Sequence, residues 1–174
     1  MKMIFALGFL ILCLSTNTVY GLSEGSSLPQ FELKNQDGEV FKSRGREGKW
    51  TVLYFYPKAN TPGCTKQACA FRDHLQKIRD LNAEVFGISV DTVEDQKKFH
   101  KKEKLNFDLL ADHDGKVSKT FGVKSKILPI ARRWTFIIDP KLQVRWIGKD
   151  VDPVLDALNV EKALKELQGN QNLK

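Results

Sequence analysis

The run "WTVLYFY" from Trp50 to Tyr56, closed by Pro57, constrains this chain more than any other stretch. Its residues are nearly all apolar, β-branched or aromatic, with no polar alternation, so it reads as a strand buried on both faces. Such a strand needs a sheet covered on both sides. "EVFGISV" (84–90) repeats the pattern, and the segment between them, Thr65 to Leu81, reads as a helix with Ala68, Phe71, Leu75 and Ile78 at three- and four-residue steps. A second helix is expected from Val93 to about Lys104. "FDLLAD" leads to a short helix through Val117 and Phe121, and strands over 132–139 and 143–147 flank a turn at Pro140. A closing amphipathic helix is expected from Val151 to Leu167. Upstream, "PQFELKNQDGEVF" alternates Phe31 and Leu33 around a turn at Asp37-Gly38 and suggests a small hairpin. Strands alternating with helices indicate an α/β sandwich with a central sheet. The 174 residues show neither a repeat nor a linker that would separate a second domain.

The first residues differ in kind. Lys2, an apolar run from Met3 to Leu14 and a polar stretch ending at Gly21 have the layout of a secretory signal. The expected division is a signal over 1–21, cleaved after Gly21, and one domain over 22–174, exported to a periplasm or secreted. An uncleaved membrane anchor is the competing reading, although a spanning helix usually needs about 20 apolar residues. Cys13 goes with the signal, because the bulky Leu12 precedes it where a lipid-modified cysteine wants a small residue. The mature chain then keeps Cys64 and Cys69.

Two cysteines in an exported domain suggest one structural disulfide by default. Their spacing argues otherwise. Extending the apolar stripe of the helix backward by four places lands on Cys64, whereas Cys69 lies about 140° away on the wetter side. Their α-carbons are then roughly 8 to 9 Å apart on a helix, beyond the ~7 Å limit for a disulfide without backbone movement. A redox cycle, reduced and folded in one form and disulfide-bonded and locally unwound in the other, explains the geometry better than a staple. An inert buried Cys64 is the plainer alternative. His74, His100 and His113 lack ligand-like spacing with the cysteines, so no metal or cofactor is expected. "NTPGC" puts Thr61 at an N-cap, Pro62 at the first helical position and Cys64 at the third. There the free N–H groups and the positive end of the helix dipole favour the thiolate. The capping-box spacing also brings the Thr61 hydroxyl and the Cys64 sulfur close together.

These residues resemble a known family. "PKANTPGC" matches P-x-x-x-T-x-x-C, the active-site pattern of peroxiredoxins. With "TKQACAFRD" it is similar to the bacterioferritin comigratory protein, or peroxiredoxin Q, subgroup of the AhpC/TSA type, and the likeness runs over roughly 28–147. The resemblance implies a thioredoxin-like fold, a central mixed sheet flanked by helices with an N-terminal hairpin. It also implies an atypical two-cysteine peroxidase acting on hydrogen peroxide and organic hydroperoxides. Cys64 matches the peroxidatic cysteine, Cys69 the resolving cysteine, Thr61 the hydroxyl that orients peroxide and Pro62 the ring that shields the thiolate. Arg133 in "RRWTF" matches the active-site arginine, while Arg132, one place away on a strand, is expected to face solvent. The partner implied is a thioredoxin-like reductant, and the likeness favours a monomer.

Two features depart from the subgroup. Its members are largely intracellular, whereas this chain reads as exported, which leaves the reductant open. The Gly-Gly-Leu-Gly and carboxy-terminal Tyr-Phe segments linked with peroxide sensitivity in other peroxiredoxins are absent, so resistance to overoxidation is expected. An exported thiol-disulfide oxidoreductase on the same fold is a rival reading, against which four residues separate the cysteines where two are usual. A non-catalytic basic interaction domain is another, since 28 Lys+Arg against 21 Asp+Glu give a net charge of +7. The densest basic run, "KKFHKKEK" (97–104), fits the solvated side of a helix whose core side carries Val93, Phe99 and Leu105, and no nucleic-acid motif accompanies it.

Overall fold

The computed structural model describes residues 21–149 and 151–171. The expected signal, apart from Gly21, and Cys13 lie outside the described residues. From Leu22 onward the chain is packed: Leu22 rests against the core, and the amides of Gly25 and Leu28 donate to Val144 and Leu142. Among the described residues no helix is long and apolar enough to cross a membrane.

The expected hairpin forms as β1 (Glu32–Asn35) and β2 (Val40–Lys42), with Gly38 supplying the positive φ of the turn. β3 (Trp50–Phe55) is buried at every residue, as its composition predicts. Then come α1 (Pro62–Arg79), β4 (Ala83–Ser89), α2 (Val93–Lys102), β5 (Asp108–Ala111), α3 (Lys116–Thr120), β6 (Trp134–Ile138), β7 (Val144–Lys149) and α4 (Asp156–Gln171). The seven strands form one sheet in the order β2-β1-β5-β4-β3-β6-β7. β3 and β5 run parallel to β4, while β6 pairs antiparallel with β3 and β7. This mixed sheet, with helices over its faces and the hairpin at one edge, is the thioredoxin-like arrangement.

Period-two alternation divides the strands between two cores. Val52, Tyr54, Val85, Leu109 and Ile137 face Phe71, Leu75 and Ile78 of α1, Phe99 of α2, and Val160 and Leu164 of α4. Leu53, Phe55, Phe86, Ile88 and Phe136 face the other way, toward Val117 and Phe121. Burying these side chains contributes about 1.5–3 kcal/mol each before the cost of ordering the chain.

Two expected boundaries move. α4 starts at Asp156, not Val151, because Asp152 closes a turn: its carboxylate accepts from the amides of Val154 and Leu155. β6 starts at Trp134, so Arg132 and Arg133 precede the strand and do not alternate on it. Arg132 is nevertheless exposed.

Candidate active site

β3 ends at Phe55, and the loop after it is tied down from β4 and the turn beyond it. The Tyr56 amide donates to Ile88, and the Ala59 amide donates to the Asp91 carboxylate at 2.8 Å. Asn60 adopts a φ of 60°, and the chain then enters α1 with Thr61 as N-cap and Pro62 as the first helical residue. The Thr61 hydroxyl does not cap the helix. It donates to the Lys58 carbonyl at 2.9 Å, so the expected capping-box link toward Cys64 is replaced by one within the loop. Pro62 is exposed at the outer side of the turn.

Cys64 is buried, with 1% of its surface accessible, and carries a free thiol. Arg133, just ahead of β6, brings Nη2 to 3.5 Å from its sulfur. The other end of the guanidinium fork, Nη1, donates to Gln67 Oε1 at 2.5 Å. Gly63 makes this approach possible: a Cβ there would stand 3.2 Å from Arg133 Nη2. Of the five residues that the resemblance implies, the buried Cys64 and the partly buried Arg133 meet, Thr61 and Pro62 stand at the start of α1 ahead of Cys64, and Cys69 lies apart.

Cys69 is half-buried on the same helix, its thiol also free. α1 is unbroken from Pro62 to Arg79, so the roughly 8 to 9 Å separation expected of such a pair holds. The Cys69 thiol donates to Glu103 Oε2 at 3.9 Å, and beside it Arg72 Nη1 donates to the Glu103 carbonyl at 2.7 Å. Burial pushes the thiol up; Arg72 pulls it down, and the Glu103 carboxylate adds to the rise.

Pattern alone missed two residues. Gln67 sits on the buried stripe between Cys64 and Phe71, fully buried. A long amide among apolar stripe positions was its signal. Its Nε2 donates to Asp156 Oδ2 at 2.7 Å, and the Thr135 hydroxyl donates to the same oxygen at 2.7 Å. Asp156 opens α4 and is buried; burial pushes its carboxyl up, against the hydrogen bonds from Thr135 and Gln67 and the charge of Arg133. Beneath the site Tyr54 stacks on Phe71 at 4.6 Å, its phenol pushed well up by burial first and then by Tyr56 and Cys64. No group of three or more His, Cys, Asp or Glu able to hold a metal occurs among the described residues. A groove of about 790 Å³ lies between β1 and the starts of α2 and α3, lined by Phe31, Val93 and Phe121, and Thr61, Pro62, Cys64, Cys69 and Arg133 do not line it.

A family model described as the AhpC/TSA family matches residues 25–147, most of the chain. The chain belongs to the AhpC/TSA family. Within this family it is 47% identical over 135 residues to the chloroplastic peroxiredoxin Q of Triticum aestivum, covering 76% of this chain and 62% of that one. It is 38% identical over 135 residues to peroxiredoxin Bcp of Escherichia coli strain K12, covering 74% and 86%. These likenesses place this AhpC/TSA protein in the peroxiredoxin Q/Bcp subgroup. The match spans about six tenths of the length of the plant relatives. The crystal structure of peroxidoxin BcpB from Mycobacterium tuberculosis superposes with a TM-score of 0.77 at 34% identity, over 82% of this chain and 96% of that one.

Proposed function

We propose that this protein is a thiol peroxidase that reduces hydrogen peroxide and organic hydroperoxides at Cys64. One observation carries the reading: a buried free cysteine in the first turn of a helix with a guanidinium nitrogen 3.5 Å from its sulfur. The Cys64 thiolate attacks the terminal peroxide oxygen as the O–O bond breaks. Sulfur is oxidised to the sulfenic acid, and the departing oxygen takes up a proton and leaves as water or an alcohol. Charge grows on that oxygen in the transition state, where the Arg133 guanidinium supplies donors and a positive charge. The Thr61 proton is engaged by Lys58, so its oxygen offers lone pairs to the peroxide O–H and orients it. Pro62 screens the entrance from water.

The sulfenic acid then meets Cys69. Its thiolate attacks Cys64 Sγ, an S–S bond forms, the S–O bond breaks, and hydroxide leaves to become water. Bridging the separation requires the first turns of α1, about Thr65 to Ala68, to unwind. A thioredoxin-like dithiol protein restores both thiols and takes the disulfide itself. The apolar run Met3 to Leu14 supports removal of 1–21 and export to a periplasm or the exterior, and the likeness to the peroxiredoxin Q subgroup favours a monomer. Fractionation of cells making the full chain, with amino-terminal sequencing of the product, tests this: protein kept in the cytosol with its first residues intact contradicts it.

The deciding experiment mixes the reduced protein with hydrogen peroxide in a stopped-flow fluorimeter, with Trp134 beside Arg133 as reporter. A fast second-order phase absent from Cys64→Ser is expected. A reaction no faster than that of a free thiol ends the peroxidase reading and favours thiol-disulfide exchange.

A further inference from the structure

We propose that Asp156 is a positioning residue for Arg133, acting through Gln67; the inference rests on the peroxidase reading above. Arg133 leaves a loop ahead of β6, is only partly buried, and no ion pair among the described residues includes it. A long, flexible cation of this kind loses its aim unless something holds it. What holds it is an amide oxygen, and an amide has two ends. Turned one way, Gln67 presents an acceptor to the guanidinium; turned the other, it presents an NH₂ that repels a cation able only to donate.

Asp156 decides between the two. Its Oδ2 accepts from both the Gln67 amide N–H and the Thr135 hydroxyl at 2.7 Å, and an oxygen so engaged has no proton to offer the amide oxygen. With Nε2 held toward α4, Oε1 must face Arg133 Nη1, and the fork then leaves Nη2 beside Cys64. The polarity of the whole chain of contacts, carboxylate to amide to guanidinium to sulfur, is set at its far end. A second observation separates this role from that of an ordinary link between α4 and β6. Asp156 is fully buried, and its Oδ1 has no hydrogen-bond partner among the described residues. Burying a carboxylate with one oxygen unsatisfied is costly, and an apolar contact would join the same elements without that cost.

Two readouts test the inference on the reduced full chain. In peroxide stopped-flow, Asp156→Ala is expected to slow oxidation of Cys64 by about tenfold to a hundredfold, the scale of a misplaced catalytic group. Asp156→Asn, which keeps an accepting oxygen, should stay within about threefold of wild type. In an Arg133→Gln background, Asp156→Ala should add little further loss, since the two act as one unit. By NMR, the Arg133 side-chain Nε–H resonance should be sharp in wild type and Asp156→Asn and broadened in Asp156→Ala. Equal peroxide rates for wild type and Asp156→Ala overturn the inference, as does the same loss with and without Arg133, or Asp156→Asn as slow as Asp156→Ala. Failure of the peroxidase reading shows differently, as a wild type no faster than a free thiol. The Arg133 resonance then decides alone, and its being unchanged in Asp156→Ala overturns the positioning role.

Discussion

Gly63 shows how narrow the clearance is around the reacting sulfur. Its φ is ordinary, so alanine fits the backbone and improves helix propensity by up to about 1 kcal/mol. The new methyl, however, stands 3.2 Å from Arg133 Nη2. Gly63→Ala is therefore expected to hold or raise the melting temperature while slowing the peroxide reaction about tenfold; equal rates would mean the guanidinium shifts without consequence. Cys69 gives a second test at this scale. Burial raises its thiol first, and the Glu103 carboxylate raises it further. Glu103→Gln removes the second cause, so in a Cys64→Ser background the pH profile of Cys69 alkylation by iodoacetamide should move to lower pH. A profile that does not move would remove Glu103 from the account. Cys64 was legible from its place behind Thr61 and Pro62. Asp156 was not, because the contact that gives it meaning joins Gln67 and Asp156 across 89 positions of sequence. Only the packing of α4 on α1 brings them together.

Among the elements, α1 has two differently anchored ends. Its first turns hold Cys64, Gln67 and Ala68 against the core, while from Arg72 onward it is tied to the end of α2 and the loop beyond. Arg72 donates to Glu103, Asn106 donates to the Arg72 carbonyl at 3.3 Å, and Arg79 donates to Asn106 at 3.1 Å. Unwinding should stop at that tie. Hydrogen exchange followed by mass spectrometry is expected to show peptides over 62–70 losing protection in the disulfide form, while those over 71–79 keep it. Uniform protection across both segments would mean that the cysteines meet by another route. The alternation of strands and helices was legible because β3 and β4 are buried on both faces and the helices carry clean stripes. The start of α4 was not: Val151, Val154 and Leu155 continue its apolar spacing, yet Asp152 and Pro153 impose a turn. Val154 and Leu155 remain 57% and 49% exposed. Periodicity reports spacing and is blind to a local cap.

The molecule as a whole carries a buried carboxyl, Asp156, whose charged form burial disfavours. Because burial raises Asp156 above its unfolded value of 3.8, the folded state prefers it neutral. That preference is fully present below 3.8 and is lost as pH rises through the raised value. Asparagine cannot acquire the charge. The melting temperature of Asp156→Asn minus that of wild type should therefore become more positive from about pH 4 to pH 7; a difference that is flat or falls with pH would show that the carboxyl costs the fold nothing. On the proposed cycle Gln67 adds a consequence, because it lies inside the segment whose unwinding would bring Cys64 to Cys69. Disulfide formation then dismantles the clamp on Arg133, and only reductant lets it be rebuilt. On that proposed cycle each molecule registers one peroxide and stays blind to the next until it is reset. The oxidised fraction of the population becomes a running tally of exposure, erased at the pace of the reductant and not at the pace of the oxidant.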